Sequence, residues 1–381
     1  MKVGLLLPRS TTHPLIAYSF MDGIHAFLDQ YELGQDITCV TVNIGFGTDA
    51  VVIAEKAEEL LMQYQVDLLV AYADFPVIEA LFPLVKALNK LLIVVNHGAK
   101  YPQTWQGHPN VIHHHLSSAL GSWCTGEKVA KEHQKAAFIS SYYDGGYSLC
   151  HAFSTSFSNT GENIGFNLIG HQLKDNFDAA PLLSFLEEDR EVKAFLTVLS
   201  GELVPEIHAQ FNKTNVNTEA TFYGSPVMIE ESGALTNTAD FLAVEGYTSW
   251  FQNNPLPENE QYCSSFRKRT SRTPDSFGVL GWDTALILKT IATLWETGES
   301  NPQNIIELLS GKTLAGAKGS MLLNAESHQY MAPLYYVHTA AGEIQHLQTL
   351  DIKAVEDTFK RMSGHKITGI STGWLNTYLC S

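Results

Sequence analysis

Positive charge is scarce in this chain. Lys and Arg number 24 against 40 Asp and Glu in 381 residues, a formal net charge of −16 at pH 7. A surface that tracks nucleic-acid phosphates needs a basic stripe. The one compact basic cluster, Arg267-Lys268-Arg269 with Arg272, reads as a solvated helix face, so nucleic acid is set aside. Cysteines are few too: Cys39, Cys124, Cys150, Cys263 and Cys380 are widely spaced, with no C-x-x-C. That excludes a zinc ribbon, a thioredoxin-type redox pair and a disulfide-dense scaffold. The odd number leaves one thiol unpaired, and the expected state is buried free cysteines with at most one disulfide. No unbroken apolar run reaches the roughly 18 residues that cross a bilayer, so no direct membrane insertion is expected. The opening Met1 to Pro8 has only a five-residue apolar run, closed by Pro8-Arg9, and reads as a buried strand. Two compartments stay open: cytoplasm if Met1 is native, periplasm or cell surface if a leader was removed.

Catalytic signatures are equally sparse. G-x-S-x-G, the phosphate-binding G-x-x-x-x-G-K-[ST] and H-E-x-x-H do not occur. Ser200-Gly201-Glu202 lacks the preceding glycine of a nucleophile turn, and carboxylate pairs such as Glu230-Glu231 fall on acidic stretches. His113-His114-His115 sits on an expected strand, where only His113 and His115 share a face, about 6.8 Å apart. Without further ligands nearby these read as structural or surface histidines rather than a metal centre. No enzyme, metal or cofactor is expected.

What the chain does have is alternation. Short, uniformly apolar runs (Val3 to Leu7, Ile37 to Ile44, Asp67 to Ala71, Leu91 to Val95) alternate with helical patterns at 17–31, 50–65 and 78–88. Such runs fit parallel strands covered by helices on both faces. After a loop at 96–110 and a strand at Val111 to Leu116, a second series begins. It has helices at 118–133, 147–157, 180–188 and 204–212, with strands at 136–140, 164–169, 194–199 and 220–223. The pattern resets near Leu242 to Trp250, and helices follow at 283–296 and 305–309. From Gly316 onward Met321 to Leu323, Leu334 to Val337 and Ile344 to Leu347, with a turn at Ala341-Gly342, read as antiparallel strands. The expected class is α/β, with two doubly wound parallel-sheet lobes.

Gly45-Phe46-Gly47-Thr48-Asp49-Ala50 matches G-x-G-x-x-A between a strand and a helix. It follows the second strand, whereas a dinucleotide fingerprint follows the first, so a capped glycine turn is the preferred reading and an NAD-dependent oxidoreductase a remote alternative. In open α/β sheets ligands lie beyond the carboxyl ends of the strands. Those exits here are Arg9 to Thr12, Tyr72 to Phe75, Asn96 to Lys100, Ser141 to Gly146, Ser200 to Glu202 and Gly224 to Pro226, crowded with hydroxyls, aromatics and small residues.

Several segments in order carry a family resemblance: the opening Lys2 to Pro8, Asp22-Gly23, Ala50 to Leu61, Asn96 to Ala99, Tyr142-Tyr143-Asp144-Gly145-Gly146, Gly281-Trp282-Asp283-Thr284-Ala285, and Leu314 to Gly319 through Asn324, His328 and Pro333 to Gly342. In these the chain resembles type I periplasmic solute-binding proteins of ABC transporters, the branched-chain amino-acid branch above all. The resemblance implies two lobes joined by three crossovers, with a ligand cleft between them that closes by hinge bending. The lobes are expected at 1–118 with 249–328, and at 119–248 with 329–381. It also implies a small-molecule ligand and an inner-membrane ABC permease as partner. A cytoplasmic ligand-sensing regulator on the same fold is the alternative.

In that family hydroxyls and N–H groups of the first lobe hold a carboxylate, and an acid of the second lobe holds an amine. The candidate contacts are then Ser10, Asn96, His97 and the N–H of Ala99, with Lys100 for an anionic group. Tyr142, Tyr143, Ser200, Glu202 and Ser225 face them from the second lobe, and Tyr18, Tyr72 and Trp282 are candidate aromatic walls. Asp74 stands where the family often has Ser or Thr, and is expected to repel a carboxylate unless Lys100 neutralises it.

Overall fold

A computed structural model describes residues 1–213, 220–235, 242–340, 343–365 and 373–381. The expected turn at Ala341-Gly342 lies outside the described residues. Two α/β lobes account for most of the chain. In the first, β1 (Lys2–Leu7), β2 (Thr38–Asn43), β3 (Leu68–Tyr72), β4 (Leu92–Asn96) and β5 (Val111–His115) form an all-parallel sheet in the order β2-β1-β3-β4-β5. β3 and β4 are buried at every residue because helices cover both faces, whereas β2, at the edge, is partly open to solvent.

The second lobe repeats the plan. β6 (Lys135–Ser141), β7 (Asn163–Gly170), β8 (Ala194–Val198), β9 (Thr221–Gly224) and β10 (Val244–Thr248) run parallel in the order β10-β9-β8-β6-β7. A small antiparallel sheet of β11 (Thr313–Gly316), β12 (Gly319–Leu323) and β13 (Tyr330–Met331) follows. The chain then returns to the second lobe, where β14 (Leu334–Ala340) pairs antiparallel with β10 and β15 (Glu343–Leu350) with β14.

Strand order reverses between β1 and β3 in one sheet, and between β6 and β8 in the other. At such switch points the flanking connections leave toward opposite faces and open a crevice at the carboxyl ends of the strands. Interlobe contacts are made at these ends. His13 Nε2 lies 2.9 Å from Glu231 Oε1, and the Ser276 N–H donates to Glu230 Oε1 at 2.9 Å.

Helix Ser276–Glu296 is, by length and composition, long and apolar enough to span a membrane, although Asp283 and Lys289 interrupt its apolar run. Two-thirds of its most apolar stretch (67%) is buried, so it is a core helix of the fold. It packs on helix Ile16–Gln30 through glycines, and Asp275 caps it by accepting from the Gly278 N–H at 2.8 Å. All five cysteines carry free thiols.

Candidate functional site

The crevice between the lobes is filled by the chain itself. Residues 373–381, with no charged side chain among them, run through it, and Thr377, Tyr378, Leu379 and Cys380 are buried there. Their partners outline the site.

From the first lobe, Asp74, at the exit of β3, accepts the Tyr378 N–H through Oδ2 at 2.8 Å. Burial raises its carboxyl above the usual range, opposed by Lys100 and by that N–H. Lys100 is buried and donates to the carbonyls of Trp374 (2.8 Å) and Asn376 (2.7 Å). Desolvation pulls its ammonium down to about 8, with Asp74 opposing. The exit of β1 supplies main-chain donors, the N–H groups of Thr11 and Thr12 lying 2.6 and 3.3 Å from the Ser381 carbonyl. His97 lies edge-on to Tyr378 (5.9 Å) and Phe277 (5.3 Å), and burial drives it down to about 3, so it is a neutral wall at physiological pH.

From the second lobe the exit of β6 folds back on itself. The Asp144 N–H donates to Ser141 Oγ at 2.9 Å, and Ser141 Oγ donates to Asp144 Oδ2 at 2.7 Å. The other oxygen, Oδ1, accepts from Ser200 Oγ (2.8 Å) and from the Tyr378 hydroxyl (3.0 Å). Burial pushes Asp144 up to about 6, against the pull of these three donors. Tyr143 stacks on Tyr378 with rings 6.3 Å apart and 13° between planes, Tyr147 lies at 4.5 Å, and the Tyr143 hydroxyl accepts the Leu379 N–H at 3.1 Å. The arrangement is a slot for a 4-hydroxyphenyl group, with an acceptor for its hydroxyl at one end and an acid and a cation at the other.

The residues read from the sequence divide accordingly. Asp74, His97, Lys100, Tyr143 and Ser200 are gathered around residues 373–381. Asp74 meets an N–H donor, the main chain of Tyr378. Ser10 Oγ accepts from the His13 N–H at 2.8 Å and shapes the exit of β1. Asn96 binds the Ala73 carbonyl (3.0 Å) and the Gly98 N–H (2.8 Å), holding its loop, while the Ala99 carbonyl accepts from the Ser148 N–H. Tyr142 is largely exposed at the mouth, edge-on to Trp374, and Tyr18 is also exposed.

Tyr72 packs edge-on against Phe20 at the floor of the crevice, where burial, then Cys380 and Asp74, raise its hydroxyl above the usual range. Three others stand elsewhere. Trp282 is packed on Phe27 in the first-lobe core, because a helix turns some of its aromatics inward and residue type does not say which. Ser225 is buried at the N-terminus of helix Pro226–Gly233 as its cap. Glu202 points to solvent and pairs with Lys174 at 3.1 Å, since Gly201 turns the chain with φ +63° before it. The glycine turn at 45–47 approaches residues 373–381, with the Thr377 N–H on the Phe46 carbonyl at 3.0 Å, and Asp49 caps the next helix by accepting from Val51 and Val52. His115 is committed to Gln329 (2.9 Å) and Ser117 (3.1 Å).

Sequence reasoning placed Ser141 and Asp144 at a strand exit without giving them a contact, and passed over Tyr147 and the whole of 373–381. An acid directly after two tyrosines at a strand exit, and an uncharged stretch holding Trp, Tyr, Leu and Cys, were the available signals.

A family model described as periplasmic binding protein matches residues 1–343. No curated protein sequence matches. Among solved structures, an ABC-transporter substrate-binding protein from Sphaerobacter thermophilus is similar with TM-score 0.77 and 15% identity, over 92% of this chain and 98% of that one. A solute-binding protein from Rhodopseudomonas palustris BisB5, in complex with 3,4-dihydroxybenzoic acid, has TM-score 0.73 and 17% identity over 92% and 97%. A branched-chain amino-acid ABC-transporter periplasmic ligand-binding protein from Burkholderia xenovorans LB400 has TM-score 0.72 and 14% identity over 93% and 96%. At these identities the likeness is one of fold.

Proposed function

The chain belongs to the periplasmic binding protein family, and we propose that it is a non-enzymatic receptor for a phenolic amino acid or a close hydroxyaromatic acid. It would act in the periplasm, delivering the solute to an inner-membrane ABC permease. The observation that carries the ligand class is Tyr378. Its N–H rests on Asp74, its ring lies between Tyr143, Tyr147 and His97, and its hydroxyl rests on Asp144. Free tyrosine offers the same three features, an N–H donor, a ring and a phenol, and adds a carboxylate for Lys100. Each buried charge then gains a partner, which is what a desolvated site requires. The 3,4-dihydroxybenzoic acid in complex with the Rhodopseudomonas protein has a 4-hydroxyl that would suit the phenol end of this scheme. On this reading the lobes are 1–118 with 249–328 and 119–248 with 329–381, and the pairing of β13 with β12 lies at the third crossover.

The test is a thermal-shift and calorimetry series on refolded protein, with and without residues 373–381. The panel is L-tyrosine, L-phenylalanine, 4-hydroxybenzoate, L-leucine and NADH. A ligand at 100 times its Kd adds about 2.7 kcal/mol of stability. L-tyrosine is expected to give the largest rise in Tm, with 4-hydroxybenzoate next. A response to L-leucine above both defeats the phenolic assignment. A response to NADH alone replaces the receptor with the oxidoreductase reading.

A further inference from the structure

We propose that the interlobe cleft is also a peptide site, that its peptide is residues 373–381 of this chain, and that solute enters only by displacing it. The inference rests on the cleft being the solute site. Four observations carry it.

First, the segment bridges both lobes. It takes hydrogen bonds from or gives them to Thr11, Phe46, Asp74 and Lys100 on one side, and Tyr143 and Asp144 on the other. A strap held by both lobes keeps them closed with no solute present.

Second, the cleft is shaped for it by two glycines, one in each lobe. A Cβ on Gly47 would lie 2.3 Å from Thr377 Oγ1, and a Cβ on Gly146 would lie 1.9 Å from Trp374 Nε1. Gly47 sits at φ +71°, which favours glycine in any case, whereas Gly146 has no such backbone reason. At both, the nearest atoms that a Cβ would meet belong to residues 373–381.

Third, the polar groups of the segment coincide with those a solute needs. Asp74, Asp144 and Lys100 are buried, and each binds the segment directly. Segment and solute therefore compete for the same atoms.

Fourth, the docked segment holds Leu379 at φ +66°, in the left-handed region that a leucine adopts only under constraint from its surroundings. That strain is relieved on release, which keeps the occupant displaceable.

Cys380 supplies the readout. Its thiol is fully buried in the docked segment and reaches solvent only when the segment leaves. In the full chain, labelling of Cys380 by a thiol reagent, located by mass spectrometry, is expected to speed up about tenfold or more under saturating L-tyrosine. Removal of residues 373–381 is expected to tighten L-tyrosine binding by a similar factor, about tenfold or more, since the binding-competent fraction rises to one. Gly146→Ala, which crowds Trp374, is expected to expose Cys380 without any solute, and it stands in should the shortened chain fail to fold. A synthetic peptide GWLNTYLCS is expected to bind the shortened chain and to be competed away by L-tyrosine.

If L-tyrosine binds the full and shortened chains equally and Cys380 stays protected throughout, the displacement proposal is wrong and the receptor stands. If the peptide binds the shortened chain but no solute of the panel does, the peptide site stands and the phenolic assignment fails. If neither peptide nor solute binds, both fail.

Discussion

Gly281→Val is expected to cost the fold about 3 kcal/mol or more, the upper end of what overpacking does. Helices Ile16–Gln30 and Ser276–Glu296 meet backbone to backbone. A Cβ on Gly281 would stand 1.9 Å from the Phe20 carbonyl oxygen, and a Cβ on Gly23 2.0 Å from that of Gly278. Neither obstacle is a side chain that can swing aside, so the helices must separate. Separation would disturb the cleft as well, because Asp275 caps the second helix and Phe277 on it packs against His97. A urea titration of Gly281→Val against Gly34→Ala measures this. Nothing lies within 4 Å of the Cβ position at Gly34, so that control is expected within about 0.5 kcal/mol of the parent. An unchanged midpoint for Gly281→Val would refute the close approach.

The same two glycines show how legibility divides. Asp22-Gly23 and Gly281-Trp282 stood out as family segments, but the sequence carries no sign that the glycines meet each other across a helix pair. Strand and helix positions were readable because burial on both faces leaves unbroken apolar runs: Val3 to Leu7 lies within observed Lys2–Leu7, and the helix at 180–188 matches Ala180–Glu188. Helix Pro257–Thr270 was read only through its basic face. Its buried residues Asn259, Tyr262, Cys263 and Phe266 do keep the helical spacing i, i+3, i+4, i+7, but one is a polar asparagine, which leaves three apolar positions to show the stripe. Its charges did announce it, with Glu258 and Glu260 in the first turn and Arg267, Lys268 and Arg269 in the last, an order that suits the helix dipole. In the candidate site, several strand exits border residues 373–381, but which side chain turns into the crevice depends on local turns. Ser200 reaches Asp144 while Glu202, two residues later, faces solvent. The occupation of the cleft by 373–381 joins positions some 300 residues apart, as Tyr378 and Asp74 are, and no local pattern encodes it.

Asp144→Asn separates binding from stability. The carboxyl sits at about 6 in the fold against 3.8 when free, because burial disfavours the charge more than Ser141, Ser200 and Tyr378 favour it. A raised carboxyl contributes stability that is complete below 3.8 and is lost as pH rises through 6. At pH 7 the fold therefore carries an ionised group at a cost on the order of 2–3 kcal/mol. The amide avoids that cost. Asp144→Asn is expected to be more stable than the parent at pH 7.5, with the advantage fading toward pH 4, measured as Tm across pH. Binding moves the other way. A hydrogen bond to an ionised acceptor contributes about 1.5–3 kcal/mol, so L-tyrosine affinity of the shortened chain should fall roughly 10- to 100-fold in the variant. L-phenylalanine, with no hydroxyl to place there, should be little affected. Parent affinity for L-tyrosine should itself weaken as pH drops through about 6 and the carboxylate takes up its proton, and in the variant that pH dependence should vanish. Were the variant to lose L-tyrosine and L-phenylalanine alike, Asp144 would be holding the loop rather than the phenol. A carboxylate ionised at the expense of the fold, with Oδ1 held by Ser200 and turned toward the phenol end of a ring slot, is the arrangement expected of a residue retained for its ligand.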